Sequence, residues 1–199
     1  GKFSYKVPVK KGNPEFVYVF YKNTKIASLL LEAGDAVAVE ADTLGNYTVT
    51  GSEESNKLAQ VEREYAQTLV RLASFADQLA GVSENEAVEV RRQLGQEYVK
   101  YYRDRVRYIM ENSRSLTTVP VLFQSFSAQL PVFGQPTDAI HFSNTADSLA
   151  MVYPESKYVK ALRAEADKRK GYLELAARLG NAEEIGYPDI ELPDVKAQK

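Results

Sequence analysis

The stretch TVTGSEESNKLAQVEREYAQTLVRLASFADQL, residues 48–79, contains the point at which the pattern of apolar residues changes. Before Gly51, short runs rich in β-branched and aromatic residues are typical of strands, whereas after it apolar residues recur every three or four positions, as on one face of a helix. Ser52 is a predicted N-cap, and the acidic pair Glu53 and Glu54 suits the positive end of a helix. The predicted stripe consists of Leu58, Val61, Tyr65, Leu69, Leu72, Ala76 and Leu79.

The residues before Gly51 predict a meander of five short strands bounded by Gly, Asn, Pro or Asp. The runs are KFSYKVPVK (2–10), EFVYVFY (15–21), KIASLLL (25–31), DAVAVEA (35–41) and NYTVT (46–50). Both alternate sets of EFVYVFY are apolar, which predicts a strand covered on both of its faces. An open strand edge beside residues 3–9 is expected if upstream strands precede them.

The residues after Gly51 predict helices. Gly81 can end the first helix, and Ser83 with Glu86 forms a capping box for a second that extends through Ile109. The short link between these two striped helices predicts an antiparallel hairpin. Further helices are predicted over residues 120–130, 139–151 and 156–179, with Ser156 as a cap for the last.

The predicted fold class is therefore α+β. A small antiparallel sheet or partial sandwich is expected over residues 3–50, and a helical region built around a long antiparallel hairpin over residues 52–179. The expected division is a β region at 1–51, a helical region at 52–182, and a linker with the first segment of a further domain at 183–199.

The composition excludes several classes of function. The chain has no cysteine, which rules out thiol catalysis, disulfides and thiolate metal sites within it. Basic and acidic residues number 25 and 27, so net charge predicts neither a nucleic-acid nor an anionic-membrane partner. No apolar run approaches the roughly 18 residues that a membrane-spanning helix needs. No cofactor is predicted, and no motif supplies a phosphate loop or a nucleophile elbow.

Few polar residues are candidates for chemistry. His141 is the sole histidine and is interpreted as structural or solvated, because a lone histidine without partners seldom forms a catalytic relay or a metal site. The pairs Glu53/Glu54 and Glu183/Glu184 lie near predicted helix ends and are interpreted as complements to the helix dipole or as solubilising charges. No residue is predicted to be catalytic or to bind a metal or cofactor.

Four tyrosines on the second predicted helix form the candidate interaction surface: Tyr98, Tyr101, Tyr102 and Tyr108. They are too many for one buried stripe, so some are expected to be exposed. Exposed tyrosine is favoured at interfaces because it offers a large contact area with few rotatable bonds. The alternative interpretation is that they pack against the β region.

The order of segments resembles a known family. LLLEAGDAVAVEAD (29–42) and YTVTGSEESNKL (47–58) resemble the amino-terminal domain of periplasmic thiol:disulfide interchange proteins of the thioredoxin-like, alkyl hydroperoxide reductase and thiol-specific antioxidant superfamily. YPESKYVKAL (153–162) is similar to the helix that leads into the redox domain of that family. Gly186, Pro188, Asp189, Ile190, Leu192, Pro193 and Asp194 fit the opening phrase of the redox domain, with one residue fewer before the proline.

The resemblance implies a non-catalytic accessory region in a periplasmic or otherwise extracytoplasmic oxidoreductase. The region would position substrate or dimerise, and its partners would be a thioredoxin-like domain that follows in cis, a protein substrate or a second copy. The family's catalytic cysteines would lie beyond Lys199, so no catalytic residue is carried onto this chain.

Two other functions stay open. The chain could be a self-sufficient peptide- or glycan-binding module that uses the sheet edge or the tyrosine-rich helix face. An independent hydrolase is less favoured, because no nucleophile and base are supplied together. The segment 185–199 has its own alternative, a proline-rich terminus without a following domain.

Overall fold

The computed structural model describes the backbone of residues 1–184 and the side chains of residues 1–179. The strands are β1 (Glu15–Tyr21), β2 (Thr24–Leu31), β3 (Ala38–Ala41), β4 (Tyr47–Thr50), β5 (Ser125–Ser127) and β6 (Leu130–Pro131). The helices are α1 (Glu53–Leu79), α2 (Glu84–Glu111), α3 (Thr118–Leu122), α4 (Ala139–Ala150) and α5 (Lys157–Glu184), with a 3₁₀ turn at Pro136–Asp138 before α4. The predicted α+β class is confirmed. The predicted redox-domain entry at 185–199 lies outside the described residues.

The β region consists of two separate antiparallel hairpins rather than one meander. β1 pairs with β2, β3 pairs with β4, and no ladder joins the two pairs. The predicted strand over residues 2–10 is wrong, because only an isolated bridge between Lys10 and Asn13 forms there. Phe3 and Tyr5 are 80% exposed, and no strand within residues 1–184 pairs with this run.

The prediction that the EFVYVFY strand is covered on both faces holds at only one end of β1. Phe16 packs against the main core, and Val17 packs against a smaller core formed by Leu29, Val49 and Ala59. Towards the turn, a bulge interrupts the β1–β2 register between Val19 and Phe20. Tyr18, Phe20 and Tyr21 near this bulge are exposed, so the far end of β1 faces solvent.

α1 and α2 form the predicted antiparallel hairpin. Ser52 caps α1 by accepting a hydrogen bond from the Ser55 amide at 3.3 Å, and Ser83 with Glu86 forms the predicted capping box of α2. Two ion pairs show that the helices are antiparallel. Glu64 on α1 pairs with Arg105 on α2, and Arg71, later on α1, pairs with Glu97, which comes earlier on α2. Leu58 and Val61 are buried, but the stripe grows more exposed towards the closed end of the hairpin.

The segment predicted as a helix over residues 120–130 has a different structure. α3 ends at Leu122, and the chain then forms the β5–β6 hairpin, which the Val132 amide closes by donating to the Gln124 carbonyl at 2.9 Å. Phe126 packs between Tyr65 and Tyr101, so contacts with α1 and α2 override the local helical pattern.

α4 and α5 complete the main core, separated at Pro154 as predicted. Ser156 precedes α5, but its hydroxyl is buried without a hydrogen-bond partner within residues 1–184, so the predicted side-chain cap is wrong. The largest fully buried side chains of the molecule include Leu30, Leu58, Leu116, Leu122, Phe133, Phe142, Leu149 and Leu162. One core therefore joins β2, α1, α2, α3, α4 and the first half of α5.

Candidate functional site

The four tyrosines of the predicted interaction surface face the segment between α2 and α4. Tyr101 is buried and the other three are partly buried, so the expectation that some are exposed is not met. Their hydroxyls donate to or pair with groups of residues 117–138: Val132 O at 3.4 Å from Tyr98, Gln124 Oε1 at 2.8 Å from Tyr101, Asp138 Oδ1 at 2.6 Å from Tyr102 and Thr117 Oγ1 at 2.7 Å from Tyr108. The structure gives them packing roles, and contact with a partner stays a prediction.

Burial raises the pKa of each of these tyrosines. The pKa of Tyr102 rises to about 12 because its hydroxyl is desolvated and also donates to the Asp138 carboxylate. The pKa values of Tyr98, Tyr101 and Tyr108 are raised as well, with desolvation as the largest cause. All four therefore keep their protons at neutral pH and act as hydrogen-bonding groups rather than as bases.

Arg105 lies at the centre of the helical hairpin. Its side chain is 6% exposed, and its guanidinium pairs with Glu64 through Nη2. The guanidinium carbon lies 4.9 Å from the ring centre of Tyr101 and 5.6 Å from that of Tyr108. Arg105 Nε and Nη1 are buried without a hydrogen-bond partner within residues 1–184. Sequence reasoning missed this residue, since an arginine on a helix is usually solvated.

A second polar cluster joins the start of α1 to the chain after α2. The Ser115 hydroxyl donates to Glu54 and lies 2.6 Å from the Thr117 hydroxyl. Lys57 Nζ contacts both Glu53 and Glu54 at 2.9 Å, and these hydrogen bonds raise the lysine pKa. Glu54 is shared between Lys57 and Ser115, so this cluster links the start of α1 to the chain that follows α2.

His141 is partly buried on α4, with its ring 5.7 Å from that of Phe133 in an edge-to-face arrangement. Within residues 1–184, no group of three or more His, Asp and Glu side chains could hold a metal ion. The geometry fits the interpretation of His141 as a packing residue.

An open cleft of about 1530 Å³ runs along α1 between the β3–β4 hairpin and α3. Apolar side chains such as Leu69, Val70 and Phe123 line it. Glu62 lies at its rim, where the carboxylate accepts hydrogen bonds from Lys25, Ser28 and Tyr47 at 2.6, 2.7 and 2.8 Å. These hydrogen bonds join Glu62 on α1 to β2 and β4, so the carboxylate stabilises the packing of the β region on α1.

The end of β1 forms an exposed surface that sequence reasoning missed. We define the β1 edge surface as Tyr18, Phe20, Tyr21 and Lys22 together with the β1 edge that faces away from β2. Tyr18 is 53% exposed and Phe20 60% exposed, and β2 is the one strand that pairs with β1 within residues 1–184. The sequence signal for this surface is the apolar run EFVYVFY. We expect its residues to be covered on both faces, whereas in the structure part of them is exposed to solvent.

A second exposed apolar surface follows the last core contact of α5. Arg169 lies 3.8 Å over the ring of Phe142 and donates to the Phe133 carbonyl at 2.8 Å. Beyond it, residues 171–179 are all exposed. We define the α5 stripe as the exposed residues Tyr172, Leu175 and Leu179, which recur at spacings of three and four on one side of this part of the helix.

No family model, curated protein or solved structure matches this chain. Among the described residues, no helix is both long enough and apolar enough to cross a membrane.

Proposed function

We propose that this chain is the non-catalytic accessory region of an extracytoplasmic thioredoxin-like thiol:disulfide oxidoreductase. The observation that carries the proposal is the α5 stripe, an apolar helix face without packing partners among residues 1–179. It precedes, in sequence, the segment GYPDIELPD (186–194), which resembles the opening of a redox domain. In this proposal, a domain that follows in cis would cover the stripe.

The chemistry of the chain supports an accessory role. Disulfide reduction needs an attacking thiolate, and this chain contains no cysteine. Its buried polar groups, such as Arg105 and Ser115, contact neighbouring elements. The contribution of such a region would be to bind and orient a substrate or a second copy, which affects association rather than bond cleavage.

Insulin reduction tests this proposal. The 199-residue chain should be inactive, and the chain extended through its native carboxy-terminal continuation should reduce insulin. In the extended protein, removal of residues 3–179 should leave reduction of a small disulfide nearly unchanged but should impair turnover of a protein substrate or dimer formation. Activity of the 199-residue chain, or a continuation without a cysteine pair, would refute the assignment.

The alternative, a self-sufficient binding module, is favoured by a different observation. The β1 edge surface combines an unpaired strand edge with exposed aromatic rings, and both features suit a bound peptide strand. A continuation of the chain without a redox domain would favour this function.

A further inference from the structure

The unpaired edge of β1 presents backbone groups near Tyr18. The Phe16 amide donates to the Tyr158 hydroxyl at 3.1 Å, so it faces away from β2. Backbone groups of alternate residues in a strand face the same side, which directs the Tyr18 amide and carbonyl away from β2 as well. Tyr158 occupies the edge at Phe16, whereas the extra residue of the bulge, Ile26, lies on β2 and leaves the alternation of β1 unbroken through Phe20. The edge therefore has room for a short strand.

The chain segment that contains this edge is basic and aromatic. Residues 1–25 contain six lysines and a single acidic residue, Glu15, whereas the other residues hold 19 basic and 26 acidic side chains. Glu15 is bound by Lys157 at 2.6 Å and by the Tyr158 hydroxyl at 2.7 Å, and Lys25 is paired with Glu62, so the other lysines of residues 1–25 supply the net positive charge of this segment. This charge favours an acidic partner for the segment that contains β1.

We infer that the β1 edge surface binds an acidic, extended polypeptide segment of a partner, which adds to β1 as an antiparallel or parallel strand. The Tyr18 backbone would supply the main-chain hydrogen bonds, the rings of Tyr18 and Phe20 would contact alternate apolar side chains, and Lys22 would attract the acidic ones. This inference does not depend on the redox assignment, because it concerns the 199-residue chain alone.

An NMR titration of the 199-residue chain tests the inference. The probe is the synthetic peptide acetyl-Asp-Val-Glu-Val-Asp-Val-Glu-amide, and the control is the same peptide with lysine at each acidic position. The acidic peptide should shift the amide signals of β1 and slow hydrogen exchange of the Tyr18 amide by about tenfold or more at saturation, because a new strand bond protects it. The lysine peptide should do neither.

Variants separate the backbone contribution from the charge contribution. Tyr18→Pro removes the outward amide and should abolish binding, whereas Tyr18→Ala keeps the amide and should retain weakened binding. Lys22→Glu should weaken binding by about threefold to tenfold, and Lys100→Glu, an exposed control on α2, should change it by less than about twofold. Circular dichroism checks that each variant is folded. If Tyr18→Pro does not fold, Lys22→Glu still tests the inference.

Three results would overturn the inference. The first is equal binding of the lysine peptide, which would show that charge does not select the partner. The second is a Tyr18 amide that is already protected in the free protein, since the chain itself would then occupy the edge. The third is a set of shifts confined to the cleft along α1 or to the α5 stripe. A failed titration leaves the insulin-reduction test unaffected, so the two proposals fail separately.

Discussion

Arg105 shows how a buried charge is held between α1 and α2. Glu64 neutralises it from α1, while the rings of Tyr101 and Tyr108 contact the guanidinium from its own helix. Glu64 is 36% exposed and so keeps contact with water, whereas two of the guanidinium nitrogens are buried without partners within residues 1–184. The arginine therefore gains packing from its apolar stem but carries a desolvation cost at its head.

Replacement of Arg105 by methionine should be nearly neutral. The change keeps most of the buried volume and removes the unpaired nitrogens, so we expect the free energy of unfolding in urea to change by less than about 1 kcal/mol. Arg105→Ala should cost about 2–4 kcal/mol, because it leaves a cavity. Arg107→Met is the exposed control. Equal losses for Arg105→Met and Arg105→Ala would show that the ion pair, rather than the packing, stabilises the hairpin.

Tyr102 predicts a loss of stability at alkaline pH. Its pKa is raised from 10.0 to about 12, so between these values the unfolded chain loses this proton while the folded chain keeps it. The stabilising contribution is present below pH 10 and is lost as pH rises towards 12. Other tyrosines with raised pKa values act in the same direction, so Tyr102→Phe should reduce the slope of unfolding free energy against pH without removing it. An unchanged slope in urea titrations at pH 10–12 would contradict the assignment.

Gly51 joins the β region to α1 and explains how the two elements meet. Its φ is +92°, and a Cβ atom at this position would overlap the carbonyl oxygen of Ala36. The close approach brings the segment before β3 against the start of α1, where Ser55 exchanges hydrogen bonds with the Leu30 backbone at 2.8 and 3.1 Å. The change of sequence pattern at Gly51 is therefore also a tight packing point.

Gly51→Ala should be far more damaging than Gly34→Ala. Both glycines have positive φ, but no atom lies within 4 Å of a Cβ built on Gly34, whose φ is +101°. Gly34→Ala should cost about 1–2 kcal/mol from backbone strain alone. Gly51→Ala adds the overlap with Ala36 and should cost more than about 3 kcal/mol or prevent folding. Thermal and urea unfolding of both variants measure the difference. Similar losses of stability would show that residue 51 does not lie in close contact with the Ala36 carbonyl.

At the scale of the whole molecule, the core ends well before α5 does. Val159, Leu162 and Ala166 are buried, and Arg169 makes the last contacts with Phe133 and Phe142. A helix segment of this length is only marginally stable in water without packing partners, so the second half of α5 is expected to gain stability from whatever covers the α5 stripe.

A chain that ends at residue 170 should be nearly as stable as the full chain. The removed side chains of residues 171–179 are exposed, so we expect the free energy of unfolding to fall by less than about 1 kcal/mol. Urea unfolding of the two chains at equal concentration provides the measurement. A larger loss, or a loss that depends on protein concentration, would show that residues after 170 contact the core or a second copy.

The sequence by itself determined the change from strand to helix at Gly51, the α1–α2 hairpin and its caps at Ser52 and Ser83. These features follow from local period and from hydrogen bonds between residues a few positions apart, so neighbouring residues suffice to predict them. The exclusion of thiol chemistry likewise needed only the composition. The structural fate of residues 185–199 stays a prediction.

Only the tertiary structure decided which apolar runs are covered by packing against another element. The run at 2–10 lacks one and forms no strand, residues 125–131 form a hairpin because Phe126 packs on Tyr65 and Tyr101, and one end of β1 stays exposed. These outcomes depend on contacts distant in sequence, such as the hydrogen bond at 2.5 Å between the Tyr65 hydroxyl and the Ser125 carbonyl. Periodicity indicates which face of an element is apolar, but the partner that buries this face is set by the path of the whole chain.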